Sequence, residues 1–270
     1  MTENPLVSVI MPSYNSERHI AEAIGSVQAQ TLPDWELLVA DDCSSDCTRE
    51  IVRGVSAVDP RVRLLELGEN SGAAAARNLS LSQARGRYVA YLDSDDIWYP
   101  EKLERQVAFM EERGAAFSCC SYEVIGEDGA PLGRTVRMLD ECDYMGFLTH
   151  NLLQTVGIMV DVDRVDGRLL VMPGMRRRQD AATWLQILRA GHICLGVPDV
   201  LCGYRRVKGS LSSDKVKAAK GVWYLYREVE RLPLMTSLYC FARYAVLAVW
   251  KRFYLGGEAS GLEAARKEKR

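Results

Sequence analysis

The sequence predicts an α/β fold: a mostly parallel, doubly wound sheet with mixed strands further along and helices at the C-terminus. Two observations carry that expectation. Over residues 1–113 short apolar, β-branched runs alternate with single helical stripes, the pattern of βαβ crossovers that cover a sheet on both faces. After residue 114 the runs shorten, and an Asp128-Gly129 turn separates two of them, as in antiparallel pairing.

Taken in order, Leu6 to Met11 reads as a strand ending at Pro12, with Ser16 as a cap before a helix striped by Ile20, Ile24 and Val27. Trp35 to Ala40 runs into Asp41-Asp42, and Ser44 or Ser45 opens a helix holding Ile51, Val52 and Val55. Arg61 to Leu67 is a third strand, Ser71 to Ala84 an alanine-rich helix, and Arg87 to Leu92 a fourth strand that ends in Asp93-Ser94-Asp95-Asp96. Pro100 suits the first turn of a helix over Glu101 to Arg113. Ala115 to Val124, Gly133 to Arg137 and Thr155 to Val160 read as short strands. A helix from about Gln179 to Ala190 closes on Gly191, two short strands fill Ile193 to Tyr204, and helices follow at about 214–231 and 234–255.

Composition narrows the function. Lys and Arg number 34 against 36 Asp and Glu, a net charge of −2 that excludes a nucleic-acid binder coated in cations. Charge is unevenly spread: Arg205 to Arg252 carries eleven Lys or Arg against three acids, leaving the first 204 residues at −11. The opening MTENPLVSV lacks the basic and apolar regions of a signal peptide, and eight scattered cysteines read as structural thiols of a reducing cytoplasm. Neither Cys43 and Cys47 nor the isolated His19, His150 and His192 complete a zinc site. The apolar runs near the C-terminus are broken by Arg243 and fall short of the roughly 18 residues a membrane span requires.

In a doubly wound sheet, ligands sit beyond the carboxyl ends of the strands where the strand order reverses. Pro12-Ser13-Tyr14-Asn15, Asp41-Asp42 and Asp93 to Asp96 all stand at such ends. Asp93 and Asp95, two apart in extended chain, can face one hard cation or a ribose; the plain alternative is a solvated turn with Asp96 capping the next helix. Asp41-Asp42 can likewise be a helix N-cap region, Asp180 an N-cap, and Arg77 a surface residue. There is no G-x-G-x-x-G and no P-loop, so phosphates would be held by a cation on the carboxylates with help from Arg77 and Arg205-Arg206.

VSVIMPSYN, LLVADDCSSD, NSGAAAARN and YVAYLDSDD, in that order and spacing, resemble the family 2 glycosyltransferases of the GT-A fold, over residues 6 to about 215. The resemblance implies that Pro12, Ser13 and Tyr14 line a nucleobase, that Asp42 takes its N3–H with Asp41 beside it, and that Arg77 lies near base or phosphate. It implies a D-x-D motif in which Asp93 faces the ribose and Asp95, with Asp93, holds Mn²⁺ or Mg²⁺ around Ser94. Asp180 matches the family's base, with Gln179 where many members have an acid; Gln179 and Trp184 are the acceptor-side candidates. Tyr204-Arg205 with Gly209-Ser210 and Ser212 resembles the segment closing over the diphosphate, with Val207-Lys208 where a histidine is common. Trp98 and Trp184 are candidate sugar-stacking surfaces or core residues.

The implied enzyme is inverting and metal-dependent. It would move a hexose or N-acetylhexosamine from a UDP-sugar to a hydroxyl of a saccharide acceptor, lipid-linked in members that build bacterial surface polysaccharide such as O-antigen. Residues 1–213 would form the catalytic domain, with 1–100 binding the nucleotide and 101–213 the acceptor. Residues 214–270 would be a helical extension, and its aromatic and basic segment 234–255 suits peripheral contact with the inner face of the cytoplasmic membrane. The other readings are a sugar-nucleotide nucleotidyltransferase, against which MPSYNSERHI lacks a glycine-rich basic signature, and a non-catalytic nucleotide-binding assembly subunit.

Overall fold

The first β-branched run, buried at every position, forms β1 (Val7–Ser13) in the structure, a computed structural model that describes residues 4–150, 152–175, 177–206 and 215–253. There follow α1 (Ile20–Gln28), β2 (Trp35–Asp41), α2 (Thr48–Ser56), β3 (Val62–Glu66), α3 (Ala73–Ser82) and β4 (Tyr88–Tyr91). β2, β1 and β4 pair in parallel, and β3 joins β2 in parallel. The chain thus winds outward from β1 to β3 and returns to β1's other side with β4. Between β1 and β4 the order reverses, which in doubly wound sheets puts the ligand crevice beyond their carboxyl ends.

The rest of the chain is β5 (Ile97–Trp98), α4 (Lys102–Arg113), β6 (Phe117–Ile125), β7 (Pro131–Val136), β8 (Glu141–Cys142), α5 (Tyr144–Thr149), β9 (Ile158–Asp161), α6 (Gln179–Arg189), β10 (Cys194–Arg205), α7 (Lys215–Tyr224) and α8 (Leu234–Phe253). β9 pairs antiparallel with both β4 and β6, β10 lies parallel to β6, and β5, β7 and β8 add antiparallel edges. One sheet results, in the order β3-β2-β1-β4-β9-β6-β10-β5. Its first four strands are parallel and the remainder mixed, as the sequence pattern predicts.

Alternation along β1 sends Val7, Val9 and Met11 to one face, where they pack with Ile20, Ile24, Val52 and Leu103. Ile10 goes to the other face, among Ala74, Phe147, Trp184 and Cys240. Each such fully buried aliphatic side chain contributes roughly 1.5–3 kcal/mol. α7 and α8 share this second core with α6, so the C-terminal helices are packed on the body of the α/β layer.

Several local expectations are corrected. Ser16 does not cap α1: its hydroxyl bonds Ser94 Oγ (2.8 Å) and its carbonyl accepts from His19 and Ile20. α2 begins at Thr48 with Cys47 at its N-cap position, and Asp46 rather than Ser44 or Ser45 accepts the Thr48 N–H (3.0 Å). Thr155–Gly157 is a 3₁₀ turn, and β9 starts only at Ile158. Residues 193–204 belong to one long strand whose register slips around Val200, which accommodates Pro198 without ending it. After α7 the chain widens into a π-helical turn over Leu225–Val229. The motif residues 207–214 and the end of the 234–255 helix beyond Phe253 lie outside the described residues.

Candidate active site

β1, β2 and β4 each end in polar groups, and these are fixed by different devices. At the end of β2, Asp41 is buried and accepts from Ser44 N (2.9 Å), Ser44 Oγ (2.5 Å) and Ser13 Oγ (3.3 Å), with Arg49 at 3.8 Å. Asp42 accepts from Ser71 N (2.7 Å) and Gly72 N (2.8 Å), the N–H groups just ahead of α3. Gly72 has φ of +89°, a conformation that only glycine adopts without strain. Pro12 and Ser13 are buried at the end of β1, and Tyr14 stands half exposed at the mouth.

Backbone strain gathers here. Of the four non-glycine residues with positive φ among the described residues, Asn15 follows β1, Cys43 follows β2 and Arg178 immediately precedes α6. Each costs of order 1 kcal/mol and persists because its surroundings hold it. Asn15 is held by Ser45 N donating to its side chain (2.8 Å) and by its own N–H donating to Ser44 Oγ (2.9 Å).

Beyond β4, Asp93 accepts an ion-paired hydrogen bond from Arg77, a residue of α3 that is buried rather than on the surface. Burial opposes the Arg77 charge, yet the Asp93 and Asp180 carboxylates hold it above the usual arginine range. One guanidinium is therefore shared electrostatically by the expected donor side and the expected base. Burial and the neighbouring Asp93 carboxylate push Asp95 up to about 6. Asp96 is raised well above the carboxylate range by burial and by Asp95 and Asp93. It is no helix cap: it accepts the Arg205 backbone N–H at 2.7 Å.

The expectation that Arg205 contacts a diphosphate is corrected by its partners. Its guanidinium donates to the carbonyls of Asp95 (2.6 Å), Gly126 (3.2 Å) and Glu127 (3.0 Å) and to Glu22 Oε2 (2.7 Å). It ties the acidic turn to the β6–β7 hairpin and α1. Trp184 is corrected too. It is fully buried, edge-on to Tyr91 with ring centroids 5.1 Å apart and tilted on Phe117 at 5.9 Å, so it packs the core. Trp98 also points inward, donating to the Val156 carbonyl (2.9 Å) beneath the Lys102 ammonium.

Asp180 lies in the first turn of α6, where the helix dipole favours a carboxylate, and accepts a hydrogen bond from Thr155 Oγ1 at 3.3 Å. Sequence reasoning missed Thr155, because nothing in a buried threonine 25 positions away signals the contact. Gln179 Oε1, next to Asp180, is buried without a hydrogen-bond partner and can accept from a bound hydroxyl.

The donor set fits a hard divalent cation: carboxylates of Asp93 and Asp95 stand together, and Asp95 is crowded by like charge. Among the described residues no three His, Cys, Asp or Glu side chains converge on one metal position, so ligand oxygens and water would complete the shell.

With this geometry in place, the comparisons are specific. Residues 8–165 match the model of "Glycosyl transferase family 2". The chain is 45% identical over 248 residues to TuaG of Bacillus subtilis, a glycosyltransferase assigned to teichuronic acid biosynthesis, covering 92% of this chain and 98% of that one. It is 37% identical over 254 residues to WfgD of Escherichia coli, a UDP-Glc:alpha-D-GlcNAc-diphosphoundecaprenol beta-1,3-glucosyltransferase, covering 92% and 96%. Among solved structures it is similar to the mannosyltransferase PcManGT of Pyrobaculum calidifontis, crystallised with GDP-Man and Mn²⁺, at a TM-score of 0.67 and 20% identity over 99% of this chain and 81% of that one. The chain belongs to glycosyl transferase family 2, and its fold is GT-A.

Proposed function

We propose that this protein is an inverting, metal-dependent glycosyltransferase that moves a hexose or N-acetylhexosamine from a UDP-sugar to a hydroxyl of a lipid-linked saccharide in bacterial polysaccharide synthesis. The observation that carries the reading is the buried Arg77, which ion-pairs the Asp93 carboxylate at the strand-order reversal and is near enough to Asp180 on α6 to feel its charge. Donor-side and base candidates thereby share one site. The relatives' names support the substrate class, since WfgD uses UDP-Glc and a diphosphoundecaprenol-linked sugar.

In this reading Asp180, held by Thr155, takes the proton of the acceptor hydroxyl as that oxygen attacks the anomeric carbon. The bond to the nucleoside diphosphate breaks on the opposite face, which inverts the configuration in a single displacement. Mg²⁺ or Mn²⁺ held by Asp95 and Asp93 would supply neutralisation of the diphosphate charge. Pro12, Ser13, Tyr14, Asp41 and Asp42 form the nucleobase end, Asp93 and Ser94 the ribose end, and Gln179 the acceptor side. We assign donor binding to residues 1–100, acceptor binding to 101–213, and a helical extension to 214–270. The protein works in the cytoplasm at the inner membrane face.

Asp180→Asn tests the assignment. UDP affinity should stay within about twofold while transfer falls by 10²–10⁴-fold; transfer at wild-type rate in the variant removes Asp180 as the base.

A further inference from the structure

The C-terminal helices expose an apolar face that the catalytic reading does not use. Among the described residues, six large apolar side chains stand exposed between Tyr224 and Val246, among them Met235 (77%) and Val246 (66%), with Leu234, Leu238 and Tyr239 about half exposed. On α8 they fall on two adjacent stripes, Leu234 with Leu238 and Met235 with Tyr239 and Val246, and so on one face of the helix. Ser237 and Cys240 on the opposite side are fully buried against the body. A cleft of about 430 Å³ continues the face between α7 and α8, walled by Trp223, Tyr224 and Phe241, the Trp223 and Phe241 rings meeting edge to face at 5.7 Å.

Charge selects what covers this face. Residues 231–253 contain no Asp or Glu. Lys220, Arg231 and Arg243 are exposed around the apolar stripes against one exposed acid, Glu228, which shares the cleft wall with Arg227, while Glu230 is buried and occupied by Tyr144 (2.6 Å) and Arg189 (3.2 Å). The first 204 residues carry −11, so a negatively charged surface would repel the body and attract only this end of the molecule. No described helix is long and apolar enough to cross a membrane, whereas an apolar face rimmed by cations suits lying in the bilayer interface.

We propose that the exposed face of α7 and α8 docks on an anionic lipid bilayer, with the apolar side chains inserted and Lys220, Arg231 and Arg243 at the headgroups. The face is coupled to the site: Tyr244 of α8 shares a hydrogen bond with the Arg178 guanidinium (3.5 Å), two residues before Asp180. Docking through α8 would therefore bring the start of α6, which carries Asp180, toward the lipid surface, where the headgroup of a lipid-linked acceptor stands. That last consequence rests on the proposed function; the docking does not.

The test is co-sedimentation of the full chain with vesicles of equal parts phosphatidylglycerol and phosphatidylcholine, and with phosphatidylcholine alone. Binding should be about tenfold or more tighter to the anionic vesicles and should weaken with salt. Met235→Glu/Leu238→Glu should lose about tenfold or more on anionic vesicles, with melting temperature and UDP affinity unchanged because both residues are exposed and remote from the crevice. Lys220→Glu/Arg243→Glu should bring anionic binding down to the neutral level. Equal partition of the wild type to both vesicles, or undiminished binding by the Met235/Leu238 variant, overturns the proposal. So does a concentration-dependent dimer that the same variant dissolves without any vesicle binding, which would give the face to a second copy. Loss of UDP binding by the wild type would count against the donor site and leave the vesicle result standing.

Discussion

The two sides of the crevice are held in opposite ways. On the donor side Asp41, Asp42 and Asp96 each accept short hydrogen bonds from backbone N–H groups, and Asp93 is locked to a buried guanidinium. On the proposed acceptor side Asp180 accepts from one hydroxyl at 3.3 Å, and Gln179 Oε1 has no hydrogen-bond partner among the described residues. The proposed nucleotide side is thus built in advance and is part of the stability of the sheet; the proposed acceptor side is left open for a ligand to complete. Substitutions should therefore cost stability on one side and turnover on the other.

Arg77 breaks that division, because it serves both sides. Arg77→Met leaves Asp93 and Asp180 without their buried countercharge and should destabilise the fold by about 3–5 kcal/mol in urea denaturation. A loss under about 1 kcal/mol would show that the pair is effectively solvated and that the two sides are independent.

Asp42→Ala sharpens the donor half. Two N–H donors ahead of α3 lose their acceptor, so stability should fall by about 1–2 kcal/mol along with UDP affinity. An affinity loss with unchanged stability would mean that water replaces the carboxylate and that the site is not tied to the fold.

Thr155→Val sharpens the acceptor half. Thr155 donates to Asp180 and fixes the direction in which that carboxylate points. Turnover should fall by about five- to tenfold with UDP affinity within about twofold, with stability changed by less than about 1 kcal/mol and with Thr155→Ser restoring wild-type kcat. An unchanged kcat would confine Thr155 to packing.

The smallest effect lies outside the crevice. Hydrogen bonds from Arg61, and then from Gln28, hold Asp59 down to about 2. Its folded pKa lies below the unfolded value, so its contribution is present above about pH 4 and is lost as pH falls through about 2. With Arg61 largely exposed, that contribution is under about 1 kcal/mol, and the acid-unfolding curve of Asp59→Asn should differ from wild type only in this window.

The parallel half was legible because its strands and helices are long and regular: β1, β2 and α1 lie within a residue or two of where their apolar periods place them. β5 and β8, two residues each, and the six-residue α5 carry too little pattern to be read. The two short strands expected within 193–204 are one strand, because a register slip absorbs Pro198. The site's residue types were legible as motifs at strand ends, but their partners were not. Asp96 looked like a cap because the N–H it accepts belongs to Arg205, 109 residues away. Arg205 itself looked like a phosphate ligand until its donors were found committed to carbonyls and Glu22.

The central claim is that Asp93 and Asp95 hold a cation against a UDP donor in this crevice. Calorimetric titration of UDP with Mn²⁺, repeated with EDTA and with Asp95→Ala, tests it most directly. Binding in Mn²⁺ that weakens about tenfold or more with EDTA and in the variant is the expected result. Equal UDP affinity in all three, or none in Mn²⁺, would contradict it.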